Sequence, residues 1–337
     1  MKTAPLITDF SNSRDYAGAV GLQLDPGTNY ENKEIYYVSN DSRFTAATYN
    51  QALTNFAVGG WNNTDLEAEL MKYTGAPVPV AQRFNYKVWT NAEWFKSEAD
   101  DDMRQIGADF KEVKIGNTEV NAQVINRGLI MALDKDELRD GIITEQIAVQ
   151  YLTERLRRNQ IRRASALLIA AATNQARTWS SARDADTDIA TEITDYRDAT
   201  GIIPNTVLMD RASWVLRNTA QGALTTAAGM GRAGYNEQQL AAWLGVDNVF
   251  RVNAVYQSAS ATKTAIGASK VLIYHRSNSP MGLDPSNIRY FYAPTSGGGP
   301  VSAFRYESGS KKVIVGVEHN ELISMVYSTG VQTITPS

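Results

Sequence analysis

The residues of this sequence that could do chemistry fall into a few groups, and each has a structural reading beside the functional one. The hexapeptide GMGRAG (229–234) has the G-x-G-x-x-G spacing with which a loop cradles a pyrophosphate against a helix N-terminus. That chemistry needs a hydrophobic strand directly before the loop and an acidic residue about twenty positions after it. GALTTAA precedes it, and Val252-Asn253-Ala254 stands at the ribose position, so a flexible loop is expected. The run DADTD, with Asp184, Asp186 and Asp188, alternates like the opening of a calcium loop. Ile189 stands where the sharp turn needs glycine, and Asp195 where the bidentate glutamate belongs, so Asp186 or Asp188 is expected to cap a helix instead.

His275 and His319 are the only two histidines, in separate strand-like segments, and any triad or histidine metal site would have to include one of them. His319 lies in VEHNE, but strand alternation turns Glu318 to the opposite face, so both histidines read as polar strand residues. A basic group follows: Arg155, Arg157, Arg158, Arg162 and Arg163, of which Arg155, Arg158 and Arg162 share a helix face. Such a stripe could meet a nucleic-acid backbone. Pairing with carboxylates of its own chain or of a neighbouring subunit is the expectation, with Asp100, Asp101 and Asp102 as one acidic counterpart. No nucleophile, base and oxyanion donors assemble. No catalytic, cofactor-binding or metal-ligating residue is therefore expected, and no enzymatic activity.

Composition narrows the classes further. Lys+Arg number 33 against 36 Asp+Glu, a net charge of -3, unlike a dedicated nucleic-acid binder. The absence of cysteine excludes disulfides, thiol nucleophiles and thiolate zinc sites, and fits a reducing cytoplasm. MKTAPLITDF lacks the apolar core of a signal peptide, and the run at 166–172 is too short to span a bilayer, so a soluble protein is expected. At 337 residues the chain fits one large or two modest domains.

The elements that would position these residues follow from periodicity. Residues 1–80 are polar and irregular, with a strand at 34–39 and a short helix at 64–73 capped by Thr64. Pro77 and Pro79 then hold the chain extended. From 83 to 133 the pattern is a long β excursion: Phe84, Tyr86 and Val88 alternate with polar residues, as do Val120, Ala122 and Val124, then Leu129, Met131 and Leu133. Within it a charged helix is expected at 91–106, a strand and turn at 113–117, and a bulge at Gly128. The strongest helix runs over 142–176, free of Gly and Pro, with a buried stripe through Ile143, Ile147, Tyr151 or Leu152, Leu156, Ala164, Leu168 and Ala171 or Ala172. An α/β region follows: helix 188–199, buried strand 206–210, helix 211–219, helix 236–245 stopped by Gly245, and strands at 248–257 and 269–276. After a junction at 296–300 only strands remain, to residue 337.

This order of elements, an arm, a long β excursion, one spine helix, an α/β insertion and terminal strands, resembles the Hong Kong 97-like coat proteins of tailed bacteriophages. The segments PVPVAQRFNYKVWT (77–90) and VINRGLIMALDKDE (124–137) are similar to the entry and exit of that family's extended loop. PNTVLMDRASWVLRN (204–218) and QQLAAWLGVDNVFRVNAVYQ (238–257) resemble strand–helix steps of its axial domain. The resemblance implies an α+β fold with an N-terminal arm (1–80), an extended loop (81–135), a peripheral domain carrying the spine helix (136–187 and 296–337) and an α/β axial domain (188–295). It further implies a major capsid protein, a structural component of the virion that self-assembles from a procapsid into hexamers and pentamers of an icosahedral head around double-stranded DNA, held without sequence preference. Implied partners are a separate scaffolding protein, a portal protein and, as an option, a decoration protein, with assembly in the host bacterial cytoplasm. Lys111 and Lys114 lie in the loop without a recognisable crosslinking partner. The alternative implied by the same fold is an encapsulin-like nanocompartment shell.

Overall fold

Capping residues and alternation account for most of the architecture. The computed structural model describes residues 65–88, 118–141, 143–257, 262–277, 285–295 and 299–337, with Leu53, Thr54, Ala57, Phe95, Met103, Arg104 and Asp109 as isolated positions. Helix α1 is Asp65–Thr74, followed by β1 (Val78–Pro79), β2 (Arg83–Val88), β3 (Thr118–Gln123) and β4 (Ile125–Asp134). Then come α2 (Lys135–Arg139), the long α3 (Glu145–Ala171), β5 (Thr173–Arg177), α4 (Ala185–Thr200), β6 (Thr206–Asp210) and α5 (Arg211–Gly222). The order continues with α6 (Ala227–Arg232), α7 (Glu237–Leu244), β7 (Asn248–Val252), β8 (Val255–Gln257), β9 (Lys263–Ala265) and β10 (Val271–Tyr274), and ends with β11 (Ile288–Ala293), β12 (Val301–Ser308), β13 (Lys312–Met325) and β14 (Gln332–Pro336). The strand expected at 34–39, the Thr64 cap, the strand and turn at 113–117, Lys111, Lys114 and Asp100 to Asp102 lie outside the described residues. So does the helix expected at 91–106, apart from Phe95, Met103 and Arg104.

Two five-stranded sheets share one helix. In the first, β13 is central: residues 312–321 pair with β4 on one edge, while β12 (against 312–319) and β11 (against 320–325) follow one another along the other. β1 joins β11 in parallel. The second sheet has the order β5-β14-β10-β6-β7. Its strands β6 and β10 are buried on both faces, which is why Val207–Met209 within TVLMD, and VLIY, read as apolar runs without alternation. Val207, Met209, Val271 and Ile273 pack under α4, α5 and α7, and Leu208, Leu272 and Tyr274 face α3.

Helix α3 therefore serves two cores. Its first half, Ala148, Val149, Leu152 and Leu156, covers Leu133, Val301, Ala303, Val313, Val315 and Val317 of the first sheet. Its second half, Ile161, Ala164 and Leu168, covers the second sheet together with Leu70 and Tyr73 of α1. Each such Val, Leu or Ile side chain taken from water contributes about 1.5–3 kcal/mol, so the rod is held along its whole length. Thr144 caps it, accepting from the Ile147 N–H at 3.2 Å.

Several expectations need correction. The helix ends at Ala171 instead of 176, because the Thr173 N–H finds the Val331 carbonyl (2.9 Å) and the chain continues as β5. Its buried stripe holds at Leu152, Leu156, Ala164 and Leu168, but Ile147 is exposed, Leu152 instead of Tyr151 is the inner member of that pair, and Ala148, Val149 and Ile161 join the inner face. Gly128 is not a bulge, since β4 keeps register with β13 through Gly128↔Glu318. A Cβ there would stand 3.0 Å from the Val317 carbonyl oxygen, so a close approach explains the glycine, and the ladder breaks at Val124 instead. Residues 227–232 form the short helix α6 where a loop was expected. Sheet membership does not follow chain order. β11 belongs with β13, and β14 leaves the terminal strands to pair with β10, where Ile334 enters the second core.

Candidate functional site

The phosphate-loop reading of 229–234 loses its geometry. The segment is preceded by α5, and the N–H groups of Gly229 and Met230 already donate to the Thr226 hydroxyl and carbonyl oxygens. Arg232, within the motif, turns inward to Asp184 and Asp186, and its guanidinium lies 4.6 Å from the Trp243 ring centre. The aspartate run is likewise committed to the fold. Asp184, not Asp186 or Asp188, caps α4, accepting from the N–H groups of Asp186 and Thr187 at 3.0 and 3.2 Å. Burial disfavours its charge, but donation from Gln221 and these amides, with Arg232 nearby, holds its carboxyl below the ordinary range. Asp186 is fully buried and grips Arg217 through both oxygens at 2.6 and 2.8 Å. Asp188 pairs with Arg183 and accepts from the Trp179 indole. Each has a structural partner that a calcium loop would not leave it. Among the described residues no group of His, Asp and Glu could hold a metal.

The histidines fall in different sheets. The His275 N–H donates to Asn287 just after β10, and burial lowers the ring's pKa. His319 lies in β13, and Glu318 does take the opposite face, where Ser302 donates to it at 2.8 Å. The His319 side is the feature that the sequence reading missed. Between the two apolar halves of α3, Arg157 and Gln160 are buried and face β13. Gln160 Nε2 donates to Glu321, and lies 3.3 Å from both His319 Nδ1 and the Tyr290 hydroxyl. Arg163 also donates to Glu321, Arg127 lies 3.4 Å from it, and Arg157 pairs with Glu67 of α1 at 3.0 Å. Burial, reinforced by the charges of Arg163, Arg157 and Arg127, pushes His319 down to about 3, so its 3.6 Å approach to Glu321 is that of a neutral ring. Burial likewise pulls Arg157 down to about 10 against the pull of Tyr290 and Glu67. The available signal was phase: polar residues at i and i+3 in the buried stripe, and at i and i+2 on the inner face of a strand.

The arginine group thus divides. Arg157 and Arg163 belong to the seam, Arg158 pairs with Glu154 on its own helix (3.1 Å), and Arg155 and Arg162 are exposed. The outward face of α3 continues from the exposed Ile147 and Tyr151 through this stripe. Other apolar side chains are also open to solvent: Ile130 on β4, Val215, Met230 and Trp243. The pair β2–β3, from Arg83↔Gln123 to Val88↔Thr118, projects from the first sheet and rests on it through Phe84 and Tyr86, whose rings lie 4.8 and 5.6 Å from Phe291. A lone two-stranded pair is marginal in water. Further along, the Phe95 ring packs against Gly201.

No family model and no curated protein matches the chain. Solved structures do. A phage-related protein from Bordetella bronchiseptica RB50 is 13% identical with a TM-score of 0.60, covering 85% of this chain and 97% of that one. A virus-like particle from Pyrococcus furiosus is 12% identical with a TM-score of 0.51 over 84% and 97% of the two chains. A structure from Microbacterium phage Oxtober96 is 11% identical with a TM-score of 0.50 over 80% and 90%. At these identities the likeness is one of fold, and the fold is the Hong Kong 97-like α+β architecture.

Proposed function

We propose that this chain is the major capsid protein of a tailed bacteriophage, a coat subunit that self-assembles into the hexamers and pentamers of an icosahedral head enclosing double-stranded DNA. The observation that carries the reading is a shell-type fold whose β excursion and exposed apolar side chains a single subunit leaves uncovered. Exposed apolar surface of this kind marks contacts with other chains. In this reading residues 1–80 are the arm and 81–135 the extended loop. The first sheet with the first half of α3 forms the peripheral domain, and the second sheet with α4, α5, α6 and α7 the axial domain. The subunit is structural, without catalysis, and resides in the virion. A scaffolding protein, a portal protein and optionally a decoration protein would join it in the host bacterial cytoplasm.

The test is negative-stain microscopy of the protein expressed with and without its genomic neighbours. Uniform closed shells are expected, and monodisperse small particles in every condition would overturn the reading. The likeness to a virus-like particle supports a second reading, an encapsulin-like nanocompartment. The contents of the shells, nucleic acid or cargo protein, separate the two.

A further inference from the structure

We propose that the outward arginine stripe of α3, with the groove it borders, binds the phosphodiester backbone of nucleic acid and so marks the face of the subunit turned to the shell interior. The inference rests on the shell reading and deepens it by naming where the enclosed polymer meets the coat.

Arg155, Arg158 and Arg162 follow one another along the outward face of α3, with axial steps of about 4.5 and 6 Å at 1.5 Å per residue. Arg155 and Arg162 are exposed, and among the described residues neither meets a carboxylate, while Arg158 has only Glu154 of its own helix. Beside Arg162 the helix and the β8–β9 hairpin border a groove of about 490 Å³, lined by Asn159, Arg162, Arg163, Ser165, Tyr256 and Thr264 among others. Among the described residues no carboxylate lines it. The Arg162 guanidinium stacks 3.9 Å from the centre of the Tyr256 ring. Stacking fixes the plane of the guanidinium and leaves the N–H donors at its edge for an oxygen ligand.

Both walls of the groove come from stretches of chain without acidic residues. No Asp or Glu occurs between Glu154 and Asp184, which covers the α3 wall, or between Asp247 and Asp284, which covers the hairpin. The carboxylate behind the α3 wall, Glu321, is buried and already receives Arg163. The overall charge of -3 therefore hides a local positive surface. A row of phosphates fits it. The arginine fork suits phosphate oxygens, and each strand of double-stranded DNA carries a phosphate about every 3.4 Å along the axis. Three arginines over about 10.5 Å can thus each meet one. Base recognition has no comparable support. Tyr256 is the aromatic ring of the lining and Arg162 covers one of its faces, whereas base stacking uses successive open rings. Binding should be indifferent to sequence.

The test titrates the unassembled subunit onto a short fluorescent duplex of random sequence at a series of KCl concentrations, followed by anisotropy. With three phosphate contacts, log K should fall against log[KCl] with a slope of about −2.7. Arg155→Gln with Arg162→Gln should reduce the slope to about −0.9 and weaken binding about tenfold at the lowest salt, whatever the duplex sequence. Arg155→Lys with Arg162→Lys keeps the charges and should keep most of the binding. The arginines are exposed, so an unchanged thermal melt of each variant shows that folding is intact. Closed wild-type shells should leave added duplex unbound, because the stripe then faces inward. No binding by the wild-type subunit, or an unchanged slope in the glutamine variant, overturns the proposal. So do intact shells that bind added duplex through these arginines. A glutamine variant that binds duplex like the wild type yet forms no shells would make the stripe a contact between copies instead. If the wild type itself forms no shells, the shell reading fails on its own, and the salt slope of the subunit still decides the binding surface.

Discussion

The seam in the middle of α3 and the start of α4 are both held by buried and half-buried arginines and carboxylates, yet they are balanced differently. At α4, Arg217 and Arg232 meet Asp184 and Asp186, equal numbers, with one pair bidentate and fully buried. At the seam, among the described residues, Arg127, Arg157 and Arg163 meet the carboxylates of Glu67 and Glu321, and Glu321 receives Arg163, Arg127 and Gln160. The balanced cluster pins a helix N-terminus to its neighbours. In the cation-rich one burial, reinforced by the arginines, keeps His319 neutral, and the cluster couples α1, α3 and β13 where the two cores meet. The difference teaches that a polar break in an apolar rod can serve as the joint between two cores, provided one carboxylate carries most of the load.

That inequality is open to attack. Glu321→Ala should be the more damaging change, because it leaves three arginines against Glu67 alone. Breaking a buried pair by removing one partner costs about 3–5 kcal/mol, and the upper end is expected here. Urea unfolding of the unassembled subunit measures it. A loss no larger than that of an ordinary surface change would remove Glu321 from its central place. Asp186→Ala should cost somewhat less, about 3 kcal/mol, because Asp184 remains to hold Arg232. Here the balanced cluster makes a second demand: Asp186→Ala with Arg217→Met should recover much of the loss, since a buried pair is replaceable by apolar packing.

A smaller effect separates the clusters by pH. His319 is lowered to about 3 in the folded chain, against an ordinary value of 6.5. Between those values the unfolded chain binds the proton and the folded chain does not, so stability falls as pH drops from 6.5 towards 3. From pH 7 to pH 5.5 this group should remove about 1 kcal/mol. His319→Gln keeps a polar side chain and should flatten that part of the stability curve. An unchanged slope would mean that His319 titrates normally.

How much of this was legible in the sequence depended on whether the signal was local. TVLMD was readable because burial on both faces makes its centre, Val207 to Met209, apolar without alternation. The end of α7 was readable from Gly245, which takes the left-handed conformation at the helix stop, and a capping box at Asn236 and Gln239 holds its start. Ile147 misled, and Tyr151 could not be told from Leu152, because apolar residues occupy both faces of the first turns of α3. Gly128 looked like a bulge because close approach to a strand across the sheet has no local mark. The seam was invisible for the same reason: Gln160 and Glu321 are 161 residues apart. Singly, each reads as a solvated side chain. Asp184 was overlooked as the cap because three aspartates at alternate positions offer equal local signals, and only Arg217, arriving from α5, decides which is withdrawn.

The smallest effect is expected where the second core is tied back to α3. The turn at 267–270 closes with the Lys270 N–H donating to the Gly267 carbonyl (3.1 Å), and both central residues, Ala268 and Ser269, have positive φ (53° and 54°). That is the pattern of a type I′ turn, which Asn-Gly fills with little strain and Ala-Ser does not. Its neighbours hold it there. The Ser269 N–H donates to the Asp210 carboxylate, a Cβ on Gly267 would stand 2.8 Å from an oxygen of that carboxylate, and Ser165 of α3 donates to the Ile266 carbonyl at 3.0 Å. Ala268→Asn with Ser269→Gly keeps every backbone donor while relieving the left-handed strain. The gain should be about 0.5–1 kcal/mol, part of the relief being offset by the greater freedom of glycine in the unfolded chain. Thermal melting of the unassembled subunit would register it as a small rise in Tm. Gly267→Ala, which pushes a methyl group onto Asp210, should lower Tm instead. If both variants destabilise, the positive φ angles are set by contacts that Asn-Gly cannot keep, and the turn is no independent tie between α3 and the second sheet.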